Sequence, residues 1–221
     1  MTTLWRFLRR SLWLGLIIGL GVLSYMAFRH VREARDSAPV TVVHRPSGPR
    51  VWYPDDRYPQ MRLPDGRSET IRSVLNVTRR MHYGQYVWND DHIPAGEVWA
   101  YADLTRQTLS VFRAGHEIGS AVILYGTDGK PTPTGTFRIL ARAKDHQSSL
   151  YDAKMPYMLR LTGDGVAIHA SHVRKGVATH GCIGVPIAFA RLLYDQMQIG
   201  DRVTILRTPG PPDPTARLTR H

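Results

Sequence analysis

The chain has 221 residues, of which 43% are hydrophobic and 21% charged. That is enough apolar material for one ordinary domain with extensions, and too much for a disordered chain. A formal net charge of +11, with no block of like charge and no helix-turn-helix or zinc-finger spacing, argues against a nucleic-acid binder and suits a protein working beside an anionic polymer.

Arg6, Arg9 and Arg10 precede a run from Leu12 to Phe28 that carries no charged side chain. As a helix, its 17 residues span roughly 26 Å at about 1.5 Å per residue, near the lower limit for crossing a bilayer. No small-x-small cleavage site follows in "SYMAFRHVREARD". The run therefore predicts an uncleaved transmembrane anchor over residues 12–28, with residues 1–11 in the cytoplasm and the remainder outside it. Residues 29–95 read as a proline-rich, largely solvated spacer. Within it Ser68 can cap a short helix starting near Glu69, with Ile71, Val74, Leu75 and Thr78 at helical spacing.

From about residue 96 the texture changes to short β-type runs separated by turns. "EVWAYADL" and "QTLSVFRAG" flank Thr105 and Arg106 as a hairpin, and "HEIGSAVILYG" continues the series. The breaker-rich "TDGKPTPTG" leads into "TFRILARAK", then "MPYMLRLTGDG" and "VAIHAS". "PIAFARLLYDQM" has helical spacing, with Pro186 suited to its start and Gly200 to its end. "DRVTILR" closes as a strand, and residues 208–221 form a proline-rich tail. Many short strands with one or two helices predict a mainly-β domain over 96–207, a sandwich or folded-over sheet behind an N-terminal anchor helix.

The chemistry concentrates in "VAIHASHVRKGVATHGCIGVP", residues 166–186, which holds His169, His172, His180 and the only cysteine, Cys182. Three readings compete. As a metal site the segment lacks paired ligand spacing, and no Asp or Glu falls between 165 and 186. As a buried inert thiol, Cys182 has an odd setting, since Thr-His-Gly before it and Gly-Val-Pro after it hold a tight, glycine-permitted backbone. As a nucleophile, Cys182 needs a nearby imidazole, and His169 ends an apolar strand 13 positions earlier, a separation across which a loop can fold back. Backbone N–H groups around Gly181 and Cys182 are then placed to serve an oxyanion.

"HASHVRKGVATHGC" resembles the catalytic signature of the L,D-transpeptidases of bacterial cell walls, the YkuD-type domains. "KPTPTGTFRIL" and "MPYMLRL" resemble family segments in the expected order, so the likeness spans roughly residues 96–207. The resemblance implies an L,D-transpeptidase-like β fold and a Cys182 nucleophile that forms a thioester with a peptidoglycan stem peptide. It implies that His169 is the base and acid, oriented through its other ring nitrogen by the Ala170 carbonyl. Thr179, His180 and Gly181 then shape the oxyanion site, with Tyr157, Ser171 and Arg174 as substrate-binding candidates. No metal or cofactor is implied. The acyl group would pass to an amine on another stem, to a lysine of an envelope protein, or to water. With the anchor, the resemblance implies a single-pass inner-membrane protein with a periplasmic catalytic domain. A hydrolase of the L,D-carboxypeptidase type and a non-catalytic wall-binding scaffold are the alternatives. Two departures stand out. Gly184 occupies a position where relatives very often carry arginine, and Ser171 one where glycine is frequent. Arg174, Lys175 and Arg160 are the candidate replacement cations.

Overall fold

In the computed structural model the described residues are 25–26, 50–127, 129–148 and 153–208. The chain divides into two units, Met1–Thr41 and Val42–His221, and every described strand belongs to the second. The anchor expected over 12–28 lies outside the described residues except for Tyr25 and Met26, which are helical. The placement as a single-pass inner-membrane protein with a periplasmic domain is corrected: among the described residues no helix is long and apolar enough to cross a membrane. The one long helix there has 10 residues, about 15 Å of rise against a hydrocarbon core of roughly 30 Å.

The expected hairpin forms as β6 (Val98–Asp103) and β7 (Thr108–Arg113), in register from Val98 opposite Arg113 to Asp103 opposite Thr108. Asp103 makes the turn: its Oδ1 accepts the N–H groups of Thr105 at 2.9 Å and Arg106 at 3.1 Å. β8 (His116–Val122) adds antiparallel to β7, and β14 (Arg202–Leu206) adds parallel to β6. β9 (Gly135–Arg138) closes that side of the sheet.

The segment before residue 96 is where sequence and structure part. The solvated spacer is replaced, from Arg50 onward, by β1 (Arg50–Trp52), β2 (Gln60–Arg62), β3 (Ser68–Thr70), β4 (Ser73–Leu75) and β5 (Tyr86–Trp88). β1 pairs with β4, while β4 and β5 both pair with β8, making an eight-stranded sheet. The helix expected near 69–81 is therefore absent. Ile71, Ser73 and Leu75 are buried with a more exposed residue between each pair, a period of two. Ser73 hides that alternation because it is polar; its hydroxyl is satisfied by His116 Nδ1 at 2.9 Å and by Arg50 at 3.0 Å.

A second sheet orders β10 (Ala141–Ala143), β11 (Met158–Arg160), β12 (Ala167–Ala170) and β13 (Ile183–Val185). α1 (Ile187–Gln196) follows β13 and buries Phe189, Ala190 and Leu193. Pro186 stands at its N-cap, where a missing N–H costs nothing. Gly200, with φ of +93°, lies beyond the helix end in the turn that Asp201 closes onto Gln198. Both sheets and the helix share one core, in which Ile118, Leu109, Ile205, Ile168, Ile183 and Phe189 are fully buried.

Candidate functional site

β12 and β13 run parallel, with His169 opposite Gly184. The chain between the strands returns at residues 179–182. Here Thr179 donates its hydroxyl to the Cys182 carbonyl, and its own N–H goes to the Tyr125 carbonyl at 3.0 Å. Gly181 has φ of +106°, a conformation that any side chain would strain. This turn brings Cys182 into a cavity of about 300 Å3 that His169 also lines.

Lys130, Pro131 and Pro133 form another wall. A β-carbon on Gly126 would lie 2.0 Å from the Lys130 carbonyl oxygen and 2.9 Å from Gly181 Cα. Only glycine permits this approach. The loop is braced by Gly126 N–H to Thr132 Oγ1 at 2.9 Å and Lys130 N–H to the Thr127 carbonyl at 3.0 Å. Met155 and Ala153 line another side, and Asp164 and Gly165 the side next to the thiol.

His169 donates Nδ1–H to the Ala170 carbonyl at 2.8 Å, which leaves Nε2 as the basic atom of the ring. Burial lowers the imidazole pKa and the charge of His146 lowers it further, while the Ala170 bond opposes them. Burial raises the Cys182 thiol, a backbone donor at Ala167 opposes this, and the charge of Asp164 raises it again. Both directions favour a neutral thiol beside a neutral imidazole over a resting ion pair. A neutral thiol and imidazole that come within reach of each other can perform acyl transfer by moving the thiol proton as a carbon–sulfur bond forms.

His169, Thr179, His180, Gly181 and Cys182 thus line one cavity, and the remaining three candidates do not. The Tyr157 ring packs edge-on against Tyr194, with centroids 5.8 Å apart, and its φ of +56° turns the chain into β11. Arg174 is exposed on the connection after β12, outside the lining. Ser171 is outside the lining, and a β-carbon on Gly184 would fall 2.8 Å from its Cβ. His172 is exposed. None of Arg174, Lys175 and Arg160 lines the cavity; the one Lys or Arg that does, among the described residues, is Lys130. Sequence patterning does not single out Lys130 or Asp164, because each is one charged residue in a turn distant in sequence from Cys182 or off its strand. The glycine-bounded "TDGKPTPTG" was the available signal for the first. Among the described residues no three His, Cys, Asp or Glu side chains are placed to hold a metal ion.

Set against known proteins, residues 97–205 match the model of the YkuD family, the L,D-transpeptidase catalytic domain. The chain carries a YkuD-family domain. Among solved structures similar to it is an L,D-transpeptidase from Stackebrandtia nassauensis, 25% identical, covering 56% of this chain and 63% of that one at a TM-score of 0.48. Another, from Mycobacterium smegmatis, is 25% identical over 50% of this chain and 58% of that one, with a TM-score of 0.46. A third, from Mycobacterium tuberculosis, is 24% identical over 50% and 57%, also at 0.46. The chain spans about three fifths of the length of these structures. No curated protein matches it.

Proposed function

We propose that this YkuD domain is a peptidoglycan L,D-transpeptidase that works through a thioester on Cys182. The observation that carries the reading is the placement of Cys182 and His169 on one cavity, with the imidazole held by Ala170 so that Nε2 is its base. In the acylation step Cys182 Sγ attacks the carbonyl of the L,D bond in a stem peptide, and its proton passes to His169 Nε2. The carbon–nitrogen bond then breaks, the leaving amine takes the proton, and a D-amino acid departs. The N–H groups of Gly181 and Cys182, in the turn braced by Thr179, would hold the developing oxyanion, with His180 at the rim. Lys130, the cation of the lining, would hold the carboxylate of the departing residue in place of the arginine that the family pattern very often has at 184.

The acyl group then passes to an amine of a second stem, to a lysine of an envelope protein, or to water. Intact-mass measurement after incubation with muropeptides bearing tetrapeptide stems tests the reading. A covalent adduct on Cys182 that disappears in Cys182→Ala is the expected result. A chain that binds the muropeptide equally well in both forms, with no adduct and no product, is a wall-binding module instead.

A further inference from the structure

A carboxylate beside a nucleophilic thiol works against acylation, because it disfavours the thiolate. Asp164 nonetheless stands there. It lines the cavity next to Gly165, whose carbonyl oxygen is 3.9 Å from Cys182 Sγ. It is the only Asp or Glu among the described residues of the lining. Its position is built: Asp164 Oδ1 accepts the Thr162 hydroxyl, and that hydroxyl oxygen in turn accepts the Val166 N–H at 2.9 Å. Oδ2 receives no hydrogen bond among the described residues, and the residue is exposed to incoming solutes.

Resting on the transpeptidase reading, we infer that Asp164 is the acceptor-selecting residue, binding the ammonium of an incoming primary amine beside the Cys182 thioester. A carboxylate concentrates and orients a cation and does nothing for water, so it biases the partition of the thioester toward transfer. Once bound, the ammonium loses one proton to solvent. The free amine attacks the thioester carbonyl, a carbon–nitrogen bond forms, and the carbon–sulfur bond breaks. The second amine proton passes to His169 Nε2, and the electron pair returns to Sγ as the thiol is restored.

The test uses the full chain with a tetrapeptide muropeptide as both donor and acceptor. Dimer reports transfer, tripeptide reports hydrolysis, and intact mass follows the Cys182 thioester. Asp164→Asn keeps the oxygen that accepts from Thr162, so the turn is retained. The dimer-to-tripeptide ratio should fall about two- to fivefold, the worth of one exposed charge contact. Thioester formation should be faster in the variant, because a charge opposing the thiolate is gone. With hydroxylamine as the acceptor, which is uncharged near neutrality, the hydroxamate-to-tripeptide ratio should match that of the native chain. An unchanged dimer ratio, an equal fall with hydroxylamine, or a native thioester that yields only tripeptide would each overturn the inference while leaving the thioester reading intact. Absence of any Cys182 adduct in the native chain overturns the underlying reading and this inference with it.

Discussion

Ser171 and Gly184 fill one space between β12 and β13. A β-carbon built on Gly184 would lie 2.8 Å from Ser171 Cβ, 3.2 Å from its Oγ and 3.4 Å from Leu124 Cβ. Each residue therefore sets the size permitted at the other, and the two departures from the family pattern are one structural change. Gly184→Arg alone should destabilise the chain by about 1–3 kcal/mol through overpacking. Adding Ser171→Gly should recover most of that loss, with a coupling of at least about 1 kcal/mol in a double-mutant cycle of denaturant unfolding. Additive losses would show that the positions are independent.

The pH dependence of thiol alkylation follows from the direction of the Cys182 shift. Burial raises the thiol, so at neutrality less of it is thiolate in the folded chain than in the unfolded one. Iodoacetamide should therefore modify native Cys182 more slowly than the urea-denatured protein, with a midpoint displaced to higher pH. A native midpoint below that of the denatured chain would mean a resting ion pair with His169.

The imidazole gives the complementary limb. Its pKa is lowered chiefly by burial, so the ring stays neutral, and able to take a proton, to a more acid pH than an ordinary histidine. The acid limb of the Cys182 acylation rate should fall below the usual histidine range. His169→Gln should abolish that limb and lower the rate by about 100-fold or more.

Two glycines of the site should respond differently to alanine. Gly126→Ala drives a β-carbon into the Lys130 carbonyl and the Thr132 nitrogen, both backbone atoms that cannot turn aside. Gly181→Ala finds its nearest atom, the Pro131 carbonyl oxygen, at an ordinary 3.6 Å, and strains only φ. The first should lower Tm by more than the second; about 1 kcal/mol moves Tm by about 2–4 °C for a unit of this size. The second, at about 1–3 kcal/mol of backbone strain, should fold and lose acylation.

Glu117 supplies a stability prediction away from the cavity. It is buried, accepts the Leu75 N–H at 2.9 Å, and burial raises its carboxyl above the usual range. The folded chain then holds this proton more tightly than the unfolded chain. The group supports stability below its unfolded pKa and loses that support as pH rises through the folded value. Thermal melts of Glu117→Gln should exceed those of the native chain by a margin that widens with pH. A margin independent of pH would assign the effect to packing.

The parts of the fold legible in the sequence are those where one local signal dominates. β6 and β7 alternate around an Asp103 turn, and α1 places Phe189, Ala190 and Leu193 on one face after a proline. Residues 68–75 carry no legible strand signal because the buried Ser73 is polar, and its partners His116 and Arg50 are distant in sequence. The site followed the same rule. Five of its members lie in the segment from His169 to Cys182, both included, and their clustering is visible in sequence. Lys130 and Asp164 reach the cavity from loops that only the strand order of two sheets brings together. Tyr157 packs against Tyr194 at a positive φ, a placement that strand alternation does not anticipate.

The family match begins at residue 97, but the sheet does not. β4 and β5 cover one side of β8, whose seven residues from His116 to Val122 are all buried. A chain trimmed to the matched segment would leave β8 with a bare row of N–H and C=O groups on an edge that is buried in the whole chain, a template for self-association. Such a fragment should be recovered as aggregate, while one starting at Arg50 should stay in solution.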